Sequence, residues 1–153
     1  MVKTNKYLDG KIYSLSSYSR PDLVYIGSTC KTLNRRLREH KYKFNSFNKG
    51  TYKKNLSSFE IIKLGDYHID LIENFPCENR IQLHARETYF IRTMVCVNKK
   101  VSYLTEEERK EYDKNQKKTT CECGSTFRQN HKSKHVKSIE HINYLKNIVK
   151  TNY

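Results

Sequence analysis

The apolar positions of this chain change their period twice within its first hundred residues. Ile12 and Tyr13, and again Val24, Tyr25 and Ile26, supply the β-branched and aromatic side chains that strands favour, whereas Ser16, Ser17, Pro21 and Asp22 between them are turn formers. The pattern predicts a hairpin with a longer loop. Beyond the Ser28-Thr29 turn, Leu33, Leu37 and Phe44 recur near helical spacing, so a helix is expected there. Arg36 and His40, four residues apart, share one face of it. Phe59, Ile61, Ile62 and Leu64 form a short apolar segment before Gly65-Asp66; Ile69, Leu71 and Ile72 suggest another strand; and the run 78–94 is periodic in the helical sense. Hairpin, helix, strand and helix make a small α/β layer, a three-stranded and mainly antiparallel sheet flanked by helices.

The remaining third reads differently. Thr105 with Glu108 three residues on has the form of a capping box opening a charge-laced helix. The KNQKKTT that follows that helix has no apolar residue and reads as a mobile connector. Residues 131–150 read as a helix in which Val136, Ile139, Ile142 and Leu145 are available for packing. The expected division is a main domain over 9–104, a charged helical linker over 105–118 and a small module over 119–150.

Charge narrows the class of partner. Thirty Lys and Arg against sixteen Asp and Glu leave +14 on 153 residues, and only 36% of the chain is hydrophobic. A polyanion is the natural partner, DNA with RNA also open, held largely without regard to sequence and less well as salt rises. Residues 1–104 carry 19 basic and 9 acidic groups and residues 119–153 carry 6 and 2, so both parts are suited to phosphates. No apolar run approaches a membrane span, and the start, MVKTNKYLDGK, lacks a secretory stretch; a soluble, intracellular protein is expected, with no protein partner inferable. Five unevenly spread cysteines argue against a disulfide framework.

Lys11-Ile12-Tyr13 and Tyr25-Ile26-Gly27, followed by Leu33, Arg36 and His40, then Glu87 in a helical run and Asn98 beyond it, resemble the GIY-YIG nuclease family in order and spacing. The likeness covers most of residues 10–100. Lys11 stands where the first tripeptide of that family has glycine, and Gly10 lies one residue too early to replace it. Arg35 is the rival for the arginine, but only Arg36 stands one turn before His40. The resemblance implies phosphodiester hydrolysis, with Tyr13, Tyr25, Arg36, His40 and Glu87 as the catalytic set and Gly27 and Asn98 in support. The residue types suit those roles. Arg36 offers a planar fork that never loses its charge, and Glu87 a carboxylate for Mg²⁺ or Mn²⁺ acting as Lewis acid. Tyr13 is the candidate base or water-orienting group provided a neighbouring cation lowers its pKa; His40 titrates closer to neutrality and is the alternative, and Tyr25 would position water or phosphate.

Cys121-Glu122-Cys123 opens a stretch with His131, His135 and His141, a concentration of thiols and imidazoles that suggests a structural zinc ion. Two ligand sets are open, Cys121, Cys123, His135 and His141, or the same cysteines with His131 and His135. The first resembles matrin-type two-Cys, two-His fingers in the five residues between its histidines, and departs from them in having a single residue between its cysteines. Phe127 lies where such fingers place a core aromatic. The reading is a metal-dependent DNA endonuclease with a zinc finger that helps hold nucleic acid. A nucleic-acid binder that keeps the fold without catalysis is the alternative; a basic packaging protein would leave the spaced tyrosines, arginine, histidine and glutamate unexplained.

Overall fold

A computed structural model describes residues 5–151, so the first four residues of the amino-terminal stretch lie outside it. Two compact units succeed one another, divided between Leu104 and Thr105. The first is organised around β1 (Lys11–Ser17), which pairs antiparallel with β2 (Tyr25–Thr29) on one side and β3 (Tyr67–Asn74) on the other. Alternation along β1 sends Ile12 to one face of the sheet and Tyr13 and Leu15 to the other, and all three are fully buried. On the first face Ile12 and Ile26 pack with Cys77 and Leu83, the last from α3 (Arg80–Thr93). On the second, Leu15 packs with Ile61 and Ile62 of the one-turn α2 (Phe59–Ile62), under Leu37 and Phe44 of α1 (Leu33–Asn48). The short apolar segment at 59–64 is thus a helical turn whose every apolar residue in α2 is buried.

Two local devices hold this frame. Asn79 caps α3 by accepting hydrogen bonds from the amides of Ile81 and Gln82 at 3.0 and 3.1 Å. Gly10, before β1, lies so close to the Phe75 carbonyl that a Cβ would sit 2.3 Å from its oxygen. Lys11 has no such constraint: it pairs with Thr29 and Asn74 in ordinary extended backbone, and its amine donates to the Asp9 carbonyl at 2.8 Å. The expected turn at Ser16 and Ser17 is instead the end of β1. Ser17 is accommodated in the sheet because its hydroxyl donates to Asp66 at 2.5 Å, and the same carboxylate accepts the Ser19 amide at 2.7 Å.

The second unit opens with α4 (Glu106–Lys114), whose capping box between Thr105 and Glu108 is formed in both directions. A small hairpin of β4 (Lys118–Thr120) and β5 (Thr126–Arg128) follows, then α5 (Lys132–His135) and α6 (Ile139–Thr151). The single helix expected over 131–150 is therefore broken at 136–138, where Ser138 accepts the His141 amide at 3.3 Å and restarts the helix. Of the residues expected to pack, Ile139, Ile142 and Leu145 remain 74%, 40% and 48% exposed; so small a hairpin has too little surface to cover a helix of this length. Among the described residues no helix is long and apolar enough to cross a membrane.

Candidate active site and metal centre

Tyr13 lies directly opposite Gly27 across the β1–β2 ladder, and its ring crosses the space that a side chain there would need. A Cβ on Gly27 would fall 2.4 Å from the Tyr13 hydroxyl oxygen and 2.6 Å from Cζ. The absence of a side chain at 27 is what lets the phenol reach α1. There Arg36 Nε donates to the hydroxyl at 2.8 Å, and His40 Nε2 lies 2.8 Å from it. The two α1 residues expected to share a face therefore meet on one oxygen. His40 Nδ1 is in turn 3.1 Å from the Ser58 hydroxyl, just before α2.

An arginine can only donate, so the Tyr13 oxygen accepts from Arg36, whereas the Tyr13–His40 bond runs in the direction set by which imidazole nitrogen carries the proton. Burial, reinforced by the Arg36 and Lys43 charges, pushes the His40 pKa down to about 3, which keeps the ring neutral and able to accept. Burial also pushes the Tyr13 phenol well above its ordinary value, against the lowering effect of Arg36. Tyr13 is wholly enclosed and does not reach the cleft beside it. Tyr25 does; its ring lies 6.5 Å from that of Tyr13 and edge-on to His40 at 5.5 Å. Burial raises the Tyr25 phenol as well, helped by the nearby charge of Glu87.

Glu87 approaches from the other side of the sheet. It sits on α3, 6% exposed, with one carboxylate oxygen accepting from Ser28 Oγ at 2.5 Å and the other from Ser102 Oγ. Asn98 closes the open edge of β2: its side-chain oxygen accepts the Ile26 amide and its NH₂ donates to the Ile26 carbonyl, each at 2.8 Å. A side-chain amide thus substitutes for a neighbouring strand, and the adjacent Val97 amide reaches the Val24 carbonyl at 2.8 Å.

These residues converge on a cleft of about 610 Å³, whose lining includes Tyr25, Arg36, His40, Glu87 and Asn98. Four lysines that the motif reading passed over, Lys43, Lys54, Lys99 and Lys100, stand on its walls. Arg35 does not line the cleft but a neighbouring depression with Arg38, Glu39, Tyr42 and Lys43, the last shared between the two. Among the supporting groups missed from sequence, Ser28, Ser58 and Ser102 carry no signal at all, because a serine commits to a partner only when the fold brings one. The Lys99-Lys100 pair directly after Asn98 was the one visible hint.

A family model, the GIY-YIG catalytic domain, matches residues 10–100. The chain belongs to the GIY-YIG family. No curated protein and no solved structure matches it. In the GIY-YIG frame the first tripeptide supplies the phenol that organises α1, and the second supplies the glycine that admits it. The family is one of nucleases, and what the fold brings together here is a cationic, arginine-centred cleft with one carboxylate.

In the second unit Cys121, Cys123, His135 and His141 place their ligand atoms within 4.8 Å of one another. Cys121 Sγ lies 3.5 Å from His141 Nδ1 and Cys123 Sγ 3.4 Å from His135 Nε2. Gly124, at φ 84°, turns the chain after the cysteines, its amide donating to the Cys121 carbonyl at 2.8 Å. Phe127 stacks on His135 with centroids 4.2 Å apart. Hydrogen bonding to His141 brings the Cys123 thiol down to about 6. In an unbroken helix, histidines six residues apart would point about 120° away from each other; the interruption at 136–138 is what allows both to meet the cysteines. His131 stands outside the cluster, beside Lys118 and Arg128. Two thiols and two imidazoles at this spacing form a zinc-finger-like module.

Proposed function

We propose that the chain is a metal-dependent endonuclease that hydrolyses phosphodiester bonds in DNA, with the C-terminal module aiding its hold on nucleic acid. The observation that carries this is the convergence of Arg36, Tyr25 and Glu87 on one lysine-walled cleft. Arg36, held at Nε by Tyr13 and touching Glu39 through Nη1 at 3.3 Å, keeps its remaining N–H donors for phosphate oxygens, where negative charge accumulates during displacement. Tyr25, the phenol that reaches the cleft, orients the attacking water; Tyr13, enclosed and bonded to His40 at the cleft wall, holds Arg36 in place. Gly27 and Asn98 support this arrangement by making room for Tyr13 and fixing the edge of β2.

Glu87 fits the divalent cation that the family implies: a carboxylate flanked by two serine hydroxyls is an all-oxygen donor set, the kind that Mg²⁺ and Mn²⁺ prefer. When bound, the ion would act as Lewis acid and charge clamp for the phosphate. In the second unit, Cys121, Cys123, His135 and His141 would hold a structural zinc ion, since four protein ligands leave no open position. The spacing of the histidines supports a matrin-type relationship. The best argument for the non-catalytic alternative is Lys11 in the first tripeptide, and its backbone there is ordinary strand, so the substitution gives that alternative little support.

Supercoiled plasmid incubated with the protein and Mg²⁺ tests the proposal. Nicking by the wild type, lost with chelator and reduced at least about 100-fold in Arg36→Ala and Glu87→Ala, is the expected result. Binding without nicking by the wild type would overturn it in favour of the non-catalytic reading.

A further inference from the structure

A second basin of about 440 Å³ lies against the first unit, and Arg36 lines both it and the cleft. Its cationic groups come from three separate stretches, Lys6 before β1, Lys31 before α1 and Arg80 at the start of α3, with His84 one turn after Arg80. Its floor is apolar, formed by Tyr7, Cys30 and Leu83. One carboxylate is present, that of Glu39, and it is already engaged by Lys31 and, at 3.3 Å, by Arg36 Nη1. Among the described residues no carboxylate pairs with Lys6 or Arg80: Lys6 lies over the Tyr7 ring at 5.2 Å, and Arg80 Nε donates to His84 at 3.3 Å. The Arg80 bond uses one of its five N–H donors.

We infer that this basin binds the nucleotide next to the scissile phosphate, with its far phosphate on Lys6 and Arg80 and its sugar and base over Tyr7 and Leu83. This rests on the nuclease reading for the identity of the strand. The chemistry of the basin is its own: a cationic rim over an apolar floor matches a unit that is anionic at one end and flat and apolar at the other. Arg36 is the shared wall, so a strand crossing it has one phosphate in each depression. The basin would thus set where along the strand the cleft engages. It also adds Lys6, Lys31 and Arg80 to the positive charge that the lysines set around the cleft.

Thymidine 3′,5′-bisphosphate is the smallest probe that spans both depressions, and thymidine monophosphate fills only one. Both are titrated by NMR into the full chain, isotopically labelled and with its zinc retained but no other metal added. The bisphosphate should shift the amides of Lys31, Leu83 and His84 as well as those of Lys99 and Ser102. The double variant Lys6→Ala/Arg80→Ala should weaken the bisphosphate about tenfold and leave the monophosphate within about twofold of wild type. Shifts confined to the Lys99–Ser102 side, or an unchanged bisphosphate affinity in the double variant, would overturn the inference. The readout is binding without catalysis, so a wild type that fails to nick plasmid refutes the nuclease proposal and leaves this result standing on its own.

Discussion

Gly27 is the tightest point of the site, and the physics there concerns space rather than flexibility. Nothing about its dihedrals demands glycine; what does is the Tyr13 hydroxyl, which a Cβ would meet at 2.4 Å. Gly27→Ala should therefore cost about 1–3 kcal/mol in chemical denaturation through overpacking, and lower nicking further by displacing the Tyr13 contact with Arg36. His40 offers a second test. Its folded pKa, near 3, lies below the ordinary value of 6.5, so below pH 6.5 the unfolded chain takes up a proton that the folded chain refuses. Stability that His40 confers is present above pH 6.5 and is lost as the pH falls towards 3. Denaturation midpoints measured from pH 7 to pH 4 should drop more steeply for the wild type than for His40→Gln; equal slopes would show that the ring is not held neutral. Both residues were legible as members of a motif. Ser58, the partner of His40, and Ser28 and Ser102, the partners of Glu87, were not, since a hydroxyl acquires a role only from what is folded against it.

The elements each bring one part of the site to the same edge of the sheet. β1 and β2 carry the phenols, α1 carries Arg36 and His40 on consecutive turns, α3 carries Glu87, and the segment after α3 returns along β2 to place Asn98. Asn98→Ala would strip the Ile26 amide and carbonyl of both partners. A loss of about 1–3 kcal/mol is expected, together with faster hydrogen exchange at the Ile26 amide, which a mere loss of surface contact would not produce. The cap of α3 is a separate device: Asn79→Ala should cost about 1 kcal/mol and leave that exchange rate unchanged relative to global stability. Period and capping residues were enough to place α1, α3 and α4. The end of β1 was not legible because Ser16 and Ser17 are turn formers in isolation, and only Asp66, 49 residues after Ser17, makes Ser17 acceptable in a strand. The interruption of the last helix was hidden for a similar reason, as His135 and His141 converge only through it.

Taken as a whole, the chain combines a nuclease-family unit, with its own two-sided core, and a small unit in which the buried groups are few. Among the described residues of the second unit the one buried polar residue, His135, belongs to the Cys/His cluster, and the apolar face of α6 is exposed. Its folding should therefore depend on metal. Chelation strong enough to strip zinc, or Cys123→Ser, should abolish the NMR dispersion of residues 119–150 while that of residues 10–100 persists. Metal analysis of the wild type should return one zinc per chain and the variant none. The net charge of +14 predicts that DNA affinity falls steeply with salt, and each lysine removed from the cleft walls should lower the slope by about one.

Residue order alone determined the fold class and the family and supplied the candidate side chains, because strand and helix periods and motif spacing are properties of neighbours along the chain. Tertiary structure decided where they sit. It enclosed Tyr13 and left Tyr25 in the cleft, chose His141 over His131, and set lysines from three distant segments around Arg36. Those outcomes depend on desolvation and on contacts across the sheet, which arise only once segments far apart in sequence share the same few ångströms.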